Sequence, residues 1–545
     1  MLDTALARLQ RFEPTFRMWV LWVLIYSVYS TLMPREHGYD VGHYYIQTGW
    51  AALNDRFATD LAASEMHSFL NPVWNAGLWF LIDTLPGRAV AFILGSLQAL
   101  GLPALYYFTK RLLLRVSGQA DPLIVLGASV LGYISAIQAL YTGSLVTDGF
   151  YATVMIGTFA LVMPIRDNTP SLKVLAIASG LIGLSVGLKL TNVLYALYFA
   201  VFVLILMPDW PSRIKGGAIC AVTGLAAILL TGGYWAWLLY QEFGNPVFPY
   251  YNQIFLSPQG PEGGFRDPRF LPNSSLEVLW RPFLFLLDER MNLARPFYDP
   301  RFVFTYVAMF AGLFAVWRYA RDRSTHANRT LLALSVSSIV TYFIWALMFS
   351  IERYLTVFWL IGPSISLAVA LFVFPNLFRI SAGRIGLLAS AVILVLVTSA
   401  PDVRRVQWQG WSEPYVYAEI VDPEKYDGAI VAFTGDYPTS FLAPFLPETA
   451  TFTSLVSPEW SRPALDNYRP RIYDLIRSTD RPLYVALIDL QDNFDLTVQR
   501  ILDVETVEVE TELCERVETS FNRENEVWYL CPARVLAASS AENTS

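Results

Sequence analysis

Residues 17–45 read RMWVLWVLIYSVYSTLMPREHGYDVGHYY. The first half is an apolar run of about the length a helix needs to cross a bilayer. The second half turns polar at Pro34 and presents Asp40 roughly six residues beyond the end of the run. From Asp40 to Ala52 polar and aromatic residues recur at helical spacing, which predicts an amphipathic helix at the membrane surface. Asp40, His43 and Tyr44 then share one face, one turn apart. Basic Arg8, Arg11 and Arg17 precede the run, but no small-residue cleavage site follows it, so it reads as a retained span rather than a signal peptide.

Ten further runs resemble the first: about 86–109, 121–140, 148–164, 172–189, 191–207, 217–240, 302–317, 330–350, 354–375 and 385–401. Across the 545 residues 54% are apolar and only 16% charged, with a mean hydropathy of +0.40. A soluble domain carries roughly 25% charge. The composition excludes a disordered chain, a coiled coil and a basic nucleic-acid binder. It predicts an α-helical polytopic membrane protein with about 11 spans over residues 1–401.

The charges orient the spans. With the N-terminus inside, the inside segments hold 16 basic and 6 acidic residues, while the net charge of the chain is −7. That is the positive-inside bias, and with an odd number of spans it places the C-terminal part outside. Residues 402–545 carry 25 acidic and 12 basic residues, so they read as a separate, soluble, extracytoplasmic α/β domain. Strands are expected at Gly428–Phe433, Pro482–Ile488, Val504–Leu513 and Glu526–Leu530, with a helix near 492–502. Cys514 and Cys531 lie on two of these strands, and a disulfide between them suits an oxidising compartment; two unpaired thiols are the alternative. Cys220 sits within a span and reads as packing.

The residues that could carry chemistry lie in the outside loops, of which 35–85 and 241–300 are long. Asp40 beside His43 is a plausible general base for a hydroxyl acceptor; as a helix cap it would be purely structural. Asp60, Glu65 and His67 follow in the same loop. These acids and imidazoles leave a divalent metal open, yet no spacing such as His-Glu-x-x-His marks one. Lys189, at the outer end of a span, needs an anionic partner such as a lipid headgroup, or snorkels to water. Arg353, in Ser350-Ile-Glu-Arg-Tyr-Leu355, could grip a phosphate with two hydrogen bonds or pair with Glu352. Asp148 caps a helix or lines the cavity wall. Phe243-Gly-Asn-Pro-Val-Phe-Pro-Tyr-Tyr-Asn252 reads as a rigid aromatic surface for sugars or isoprenoid chains, or as part of the headgroup belt.

This order of parts resembles the GT-C superfamily of polyprenyl-phosphate-sugar-dependent glycosyltransferases, which includes protein O-mannosyltransferases and the aminoarabinose transferase of lipid A. The residues carrying the resemblance are Gly38-Tyr-Asp-Val-Gly-His-Tyr-Tyr45, Arg353-Tyr354 and the Phe243–Pro249 stretch. The resemblance implies a bacterial inner-membrane enzyme with its active site and C-terminal domain on the periplasmic side. It implies a polyprenyl-phosphate-sugar donor and a glycan, lipid or protein acceptor, and no nucleic acid. Asp40 and His43 would be the catalytic pair. The late Arg-Tyr motif implies donor-phosphate contact at Arg353 and Tyr354, and by their own positions Tyr44, Glu65, His67, Asp148 and Lys189 are further candidates for binding substrate. Many members place two acids together, whereas here Val41 follows Asp40, so no metal ligand set is assigned. A flippase for lipid-linked sugars and a non-catalytic membrane scaffold are the rival classes.

Overall fold

The apolar runs fold into helices because each has enough length to satisfy its own backbone hydrogen bonds in a medium that offers none. The computed structural model describes residues 13–36, 38–164, 169–287, 299–377, 408–435, 438–456, 462–490, 494–521 and 526–536. Among them, Gly87–Ser117, Trp210–Phe243, Arg301–Asp322, Thr325–Met348 and Glu352–Val373 are long and apolar enough to span a membrane. Phe16–Leu32, Pro122–Tyr133, Asp148–Val162, Leu172–Leu188 and Leu190–Leu206 are shorter apolar helices. These ten correspond to the first ten sequence runs; the eleventh, 385–401, falls outside the described residues. The run 121–140 is divided, with a helix to Tyr133 and a short second one over Ala136–Leu140.

Local chemistry sets the helix ends. Asp121, Ser171 and Ser324 accept hydrogen bonds from the backbone of the first turn they precede, and Pro122 occupies the position where its missing N–H costs nothing. Gly118, at φ +73°, ends Gly101–Ser117 in the left-handed conformation that glycine favours.

The described chain divides into two compact units. One comprises Met1–Met33, Phe92–Thr231 and Phe270–Val406; the other comprises Pro34–Ala91, Gly232–Arg269 and Gln407–Ser545. The first unit is helical. Its helices approach closely where side chains are small: a Cβ on Gly132 would lie 3.1 Å from the Leu360 carbonyl carbon and closer still to its oxygen. Small residues permit such crossings when no hydrophobic drive separates helix from lipid. Hydroxyl pairs bridge the helices, Thr109 to Ser364 at 2.6 Å and Tyr198 to Ser338 at 2.7 Å. Arg301 is fully buried and ion-paired to Asp299 at 2.6 Å.

The second unit carries the strands β1 Arg35–Glu36, β2 Trp408–Gln409, β3 Ala418–Glu419, β4 Ile430–Phe433, β5 Thr451–Ser454, β6 Leu483–Leu490, β7 Val507–Val509, β8 Glu515–Thr519 and β9 Glu526–Val535. β1 pairs with β2, so the start of the first long loop is hydrogen-bonded to the C-terminal part. The main sheet runs β3-β8-β9-β6-β4-β5, with β7 also on β9. β5, β4 and β6 are mutually parallel and β9 is antiparallel to β6. β4 and β5 are buried throughout, as strands covered on both faces must be.

Three sequence expectations change here. The alternating stretch 504–513 contributes a strand only over Val507–Val509, because Val504 and Glu505 complete the helix Phe494–Glu505 and Thr511–Leu513 form a single 3₁₀ turn. Cys514 therefore precedes β8 rather than lying on the earlier strand; it is disulfide-bonded to Cys531 of β9. The aromatic stretch 243–252 is not an open surface. Phe243 and Phe248 are buried and stacked at 3.9 Å, with Phe69 and Tyr468 against them, in the core of this unit. The apolar surface of these rings outweighs whatever the flanking prolines expose.

Candidate functional site

The first loop is fastened before it reaches its polar residues. Arg35 is buried and its guanidinium donates to the Ser412 hydroxyl at 2.9 Å and to the carbonyls of Tyr415 and Ser520. Three carbonyl or hydroxyl acceptors on a planar fork fix where the chain enters the unit. A helix then begins with a wide π-type turn over Val41–Tyr45 and continues as Ile46–Leu53. Such turns are frequent at functional sites. The helix is buried on nearly every side, from Val41 to Trp50, rather than amphipathic. The aromatic residues that gave it a helical period in the sequence fill the unit's interior. Asp40 makes no side-chain capping bond, so the cap reading fails for it.

Beyond this helix Arg56 and Asp60 form a buried ion pair at 2.6 Å. Arg56 also donates to the carbonyls of Glu448 and Ala450, and Asp60 accepts from the Phe452 amide at 3.1 Å. Burial raises the Asp60 pKa while Arg56 and the Phe452 amide oppose that rise. Asp60 is thus a structural bolt. Leu61 then pairs with Thr453 as one more parallel bridge beyond β5, its amide donating to Phe452 O at 2.9 Å. Four residues later the chain enters the 3₁₀ helix Glu65–Phe69.

These elements bring Tyr39, His43, Tyr44, Glu65 and His67 together. Tyr39 stacks on His43 at 4.7 Å, His43 meets His67 edge-on at 5.2 Å, and Tyr44 stacks on His67 at 4.8 Å. Phe265, from the second long loop, closes over His67 edge-on at 5.1 Å. One ligand-type atom each from His43, Glu65 and His67 lies within 4.8 Å of the others. Burial holds the His43 pKa well below the usual 6.5, and His67 pushes it the same way; only Asp40 opposes them. His43 is therefore a neutral imidazole at pH 7, and its buried Nε2 has no hydrogen-bond partner among the described residues. Two imidazole nitrogens and a carboxylate oxygen form the nitrogen–oxygen donor set that zinc-type cations take.

The other sequence candidates gather in the helical unit. Asp148 is the first residue of its helix, which Thr147 precedes without a side-chain capping bond, and Lys189 follows the end of Leu172–Leu188. Lys189 Nζ binds Asp148 Oδ1 at 2.7 Å, with the carboxylate almost wholly buried. The partner expected from a lipid headgroup is thus supplied by the chain itself, 41 residues away. Lys189 also lies 5.4 Å from the centre of the Tyr354 ring, and Arg353 lies 5.6 Å from the same ring. Tyr354 sits on the short turn Glu352–Leu355, fixed by Trp345 Nε1 donating to Ile351 O at 2.7 Å and by Thr356 Oγ1 donating to Arg353 O at 2.7 Å. Asp148, Lys189, Arg353 and Tyr354 form one cluster drawn from three separate stretches of sequence.

Sequence reasoning missed Tyr39, Phe265 and Gly435. Tyr39 donates its hydroxyl hydrogen to Gly435 O at 2.7 Å. A glycine two residues after a buried strand was the signal for Gly435.

The fold is similar to that in the crystal structure of ArnT from Cupriavidus metallidurans in the apo state, with a TM-score of 0.50 over 94% of this chain and 97% of that one. The two share 12% sequence identity, so the likeness is one of fold. No family model matches the sequence, and no curated protein sequence does either.

Proposed function

From a GT-C-like fold extending over most of the chain, we propose that this is a membrane glycosyltransferase that moves a sugar from a polyprenyl-phosphate donor to a hydroxyl acceptor. The acceptor is a glycan, a lipid or a protein. The reaction takes place on the periplasmic side of a bacterial inner membrane. The observation that carries the reading is the enclosed group of Asp40, His43, Glu65 and His67, built from the loop that follows the first apolar helix.

Asp40 takes the proton of the acceptor hydroxyl as that oxygen bonds to the anomeric carbon. The bond from that carbon to the phosphate oxygen breaks, and polyprenyl phosphate leaves with the electron pair. Attack opposite the leaving group inverts the anomeric configuration. His43, neutral and packed against Tyr39, lies beside the base without adding charge there. Arg353, with Lys189 and Tyr354 beside it, holds the donor phosphate and offsets the charge of the leaving group. Tyr44 and His67 offer a stacked aromatic wall to the substrate.

His43, Glu65 and His67 would hold a divalent cation if one is resident. Such a cation would supply Lewis-acid polarisation of a bound oxygen.

The test is transfer from a panel of polyprenyl-phosphate sugars by purified protein in liposomes, native against Asp40→Asn. Loss of transfer in a variant that still folds and binds donor supports the reading. Equal transfer by both removes Asp40 from the chemistry. Lipid-linked sugar crossing the bilayer without transfer would assign the chain to the flippases.

A further inference from the structure

We propose that Gly435 is a positioning residue for Glu65, and that the carboxyl end of β4 is therefore a wall of the carboxylate–imidazole site rather than part of a separable accessory domain. The proposal rests on the glycosyltransferase reading above. Three independent features of the second unit lead to it.

The first is topological. β4 is flanked by β5 on one side and β6 on the other, all three parallel, and the chain goes from β4 to β5 and then across to β6. Where connections leave a central strand in opposite directions, a crevice opens at the carboxyl ends of the strands, and ligands bind there. Gly435 follows β4 by two residues, at that edge.

The second is steric. A Cβ on Gly435 would lie 2.7 Å from Glu65 Cδ and closer still to Oε1. The φ of Gly435 is outside the left-handed region, so its backbone would accept alanine. What excludes a side chain is the Glu65 carboxylate. The same residue is pinned from its other sides, its amide donating to Val456 O at 2.6 Å and its carbonyl accepting from Tyr39. Ser440, just beyond the same turn, donates to the carbonyl of His43.

The third is conformational. Ala62 and Glu65 both hold φ at +51°, a region non-glycine residues avoid. Strain of this kind persists where the surroundings over-determine the backbone, and it clusters at functional sites. Here the surroundings are the Leu61–Thr453 bridge on one side and the Gly435 surface on the other. The buried carboxylate is thus aimed by the strands of the C-terminal part.

The experiment compares native protein with Gly435→Ala, Glu65→Asp, Glu65→Ala, Gly435→Ala/Glu65→Asp, Gly435→Ala/Glu65→Ala and, as a control with nothing near its Cβ, Gly410→Ala. Sugar transfer and the unfolding midpoint are measured for each. Gly435→Ala is expected to lower kcat by about 10²-fold, the cost of misplacing a reacting group by an ångström or so, with donor KM little changed. Shortening residue 65 by one methylene should recover about tenfold of that loss and raise the midpoint. Glu65→Ala in the same background should raise the midpoint but leave transfer low. Gly435→Ala with native kcat, or a midpoint insensitive to the length of residue 65, overturns the proposal. If the native protein transfers no sugar, the glycosyltransferase reading falls, and the coupling between positions 435 and 65 in the midpoints still decides whether Gly435 positions Glu65.

Discussion

The two clusters hold charge out of water by opposite means. Around His43 the protein uses rings: Tyr39, Tyr44, His67 and Phe265 enclose the site, and desolvation keeps the imidazole neutral. Around Lys189 it uses a counter-charge, Asp148, at 2.7 Å. Enclosure keeps the His43 imidazole uncharged, at the cost of desolvating it. Pairing keeps both charges but commits them to each other unless a stronger anion intervenes.

Asp40→Asn is the hardest test of the enclosed cluster. Removing a general base costs about 10²–10⁴-fold in kcat, and the expected result is transfer lost to that extent in a folded, donor-binding protein. The disulfide comes next. Reducing Cys514–Cys531, which closes a separation of 17 residues, should cost about 3 kcal/mol, read as a lower unfolding midpoint in dithiothreitol. An unchanged midpoint would mean that the strand pairing of β9 alone fixes that region.

The paired cluster gives the third. Lys189→Met strands a buried Asp148 carboxylate, and because Lys189 is partly exposed the cost is expected at about 2 kcal/mol, below that of a fully buried pair. Adding Asp148→Asn should return most of it, measured by thermal unfolding in detergent. Lys189→Met with native stability would show that the pair yields freely, and would make Lys189 a phosphate ligand first. Smallest is Arg353→Lys. Loss of a planar, two-pronged donor should raise donor KM about tenfold, equivalent to ~1.4 kcal/mol, with kcat nearly constant.

The helices were legible because a membrane span needs only a long apolar run, a property local in sequence. Asp40, His43 and Tyr44 were legible for a similar reason, since helical spacing joins neighbours. What lay beyond reading was pairing over distance. Nothing around Lys189 announces Asp148, and nothing around Gly435 announces Glu65. The stretch 243–252 misled because aromatic residues beside proline look the same whether their rings face solvent or a core; Tyr468, far along the chain, decides it for Phe243. The alternation at 504–513 misled because charged residues at every second position also suit the end of a helix followed by a short strand.

The pairing of β1 with β2 has a consequence for how the chain is made. Arg35 finds its acceptor at Ser412, 377 residues later. At about 5–20 residues per second, the first loop leaves the ribosome roughly 20–75 s before the segment that buries it has been synthesised. Throughout that interval Arg35 lacks the acceptors at Ser412, Tyr415 and Ser520. A nascent chain interrupted before residue 407 would leave unpaired the strand edge that β2 covers and the guanidinium that Ser412 and Tyr415 accept from.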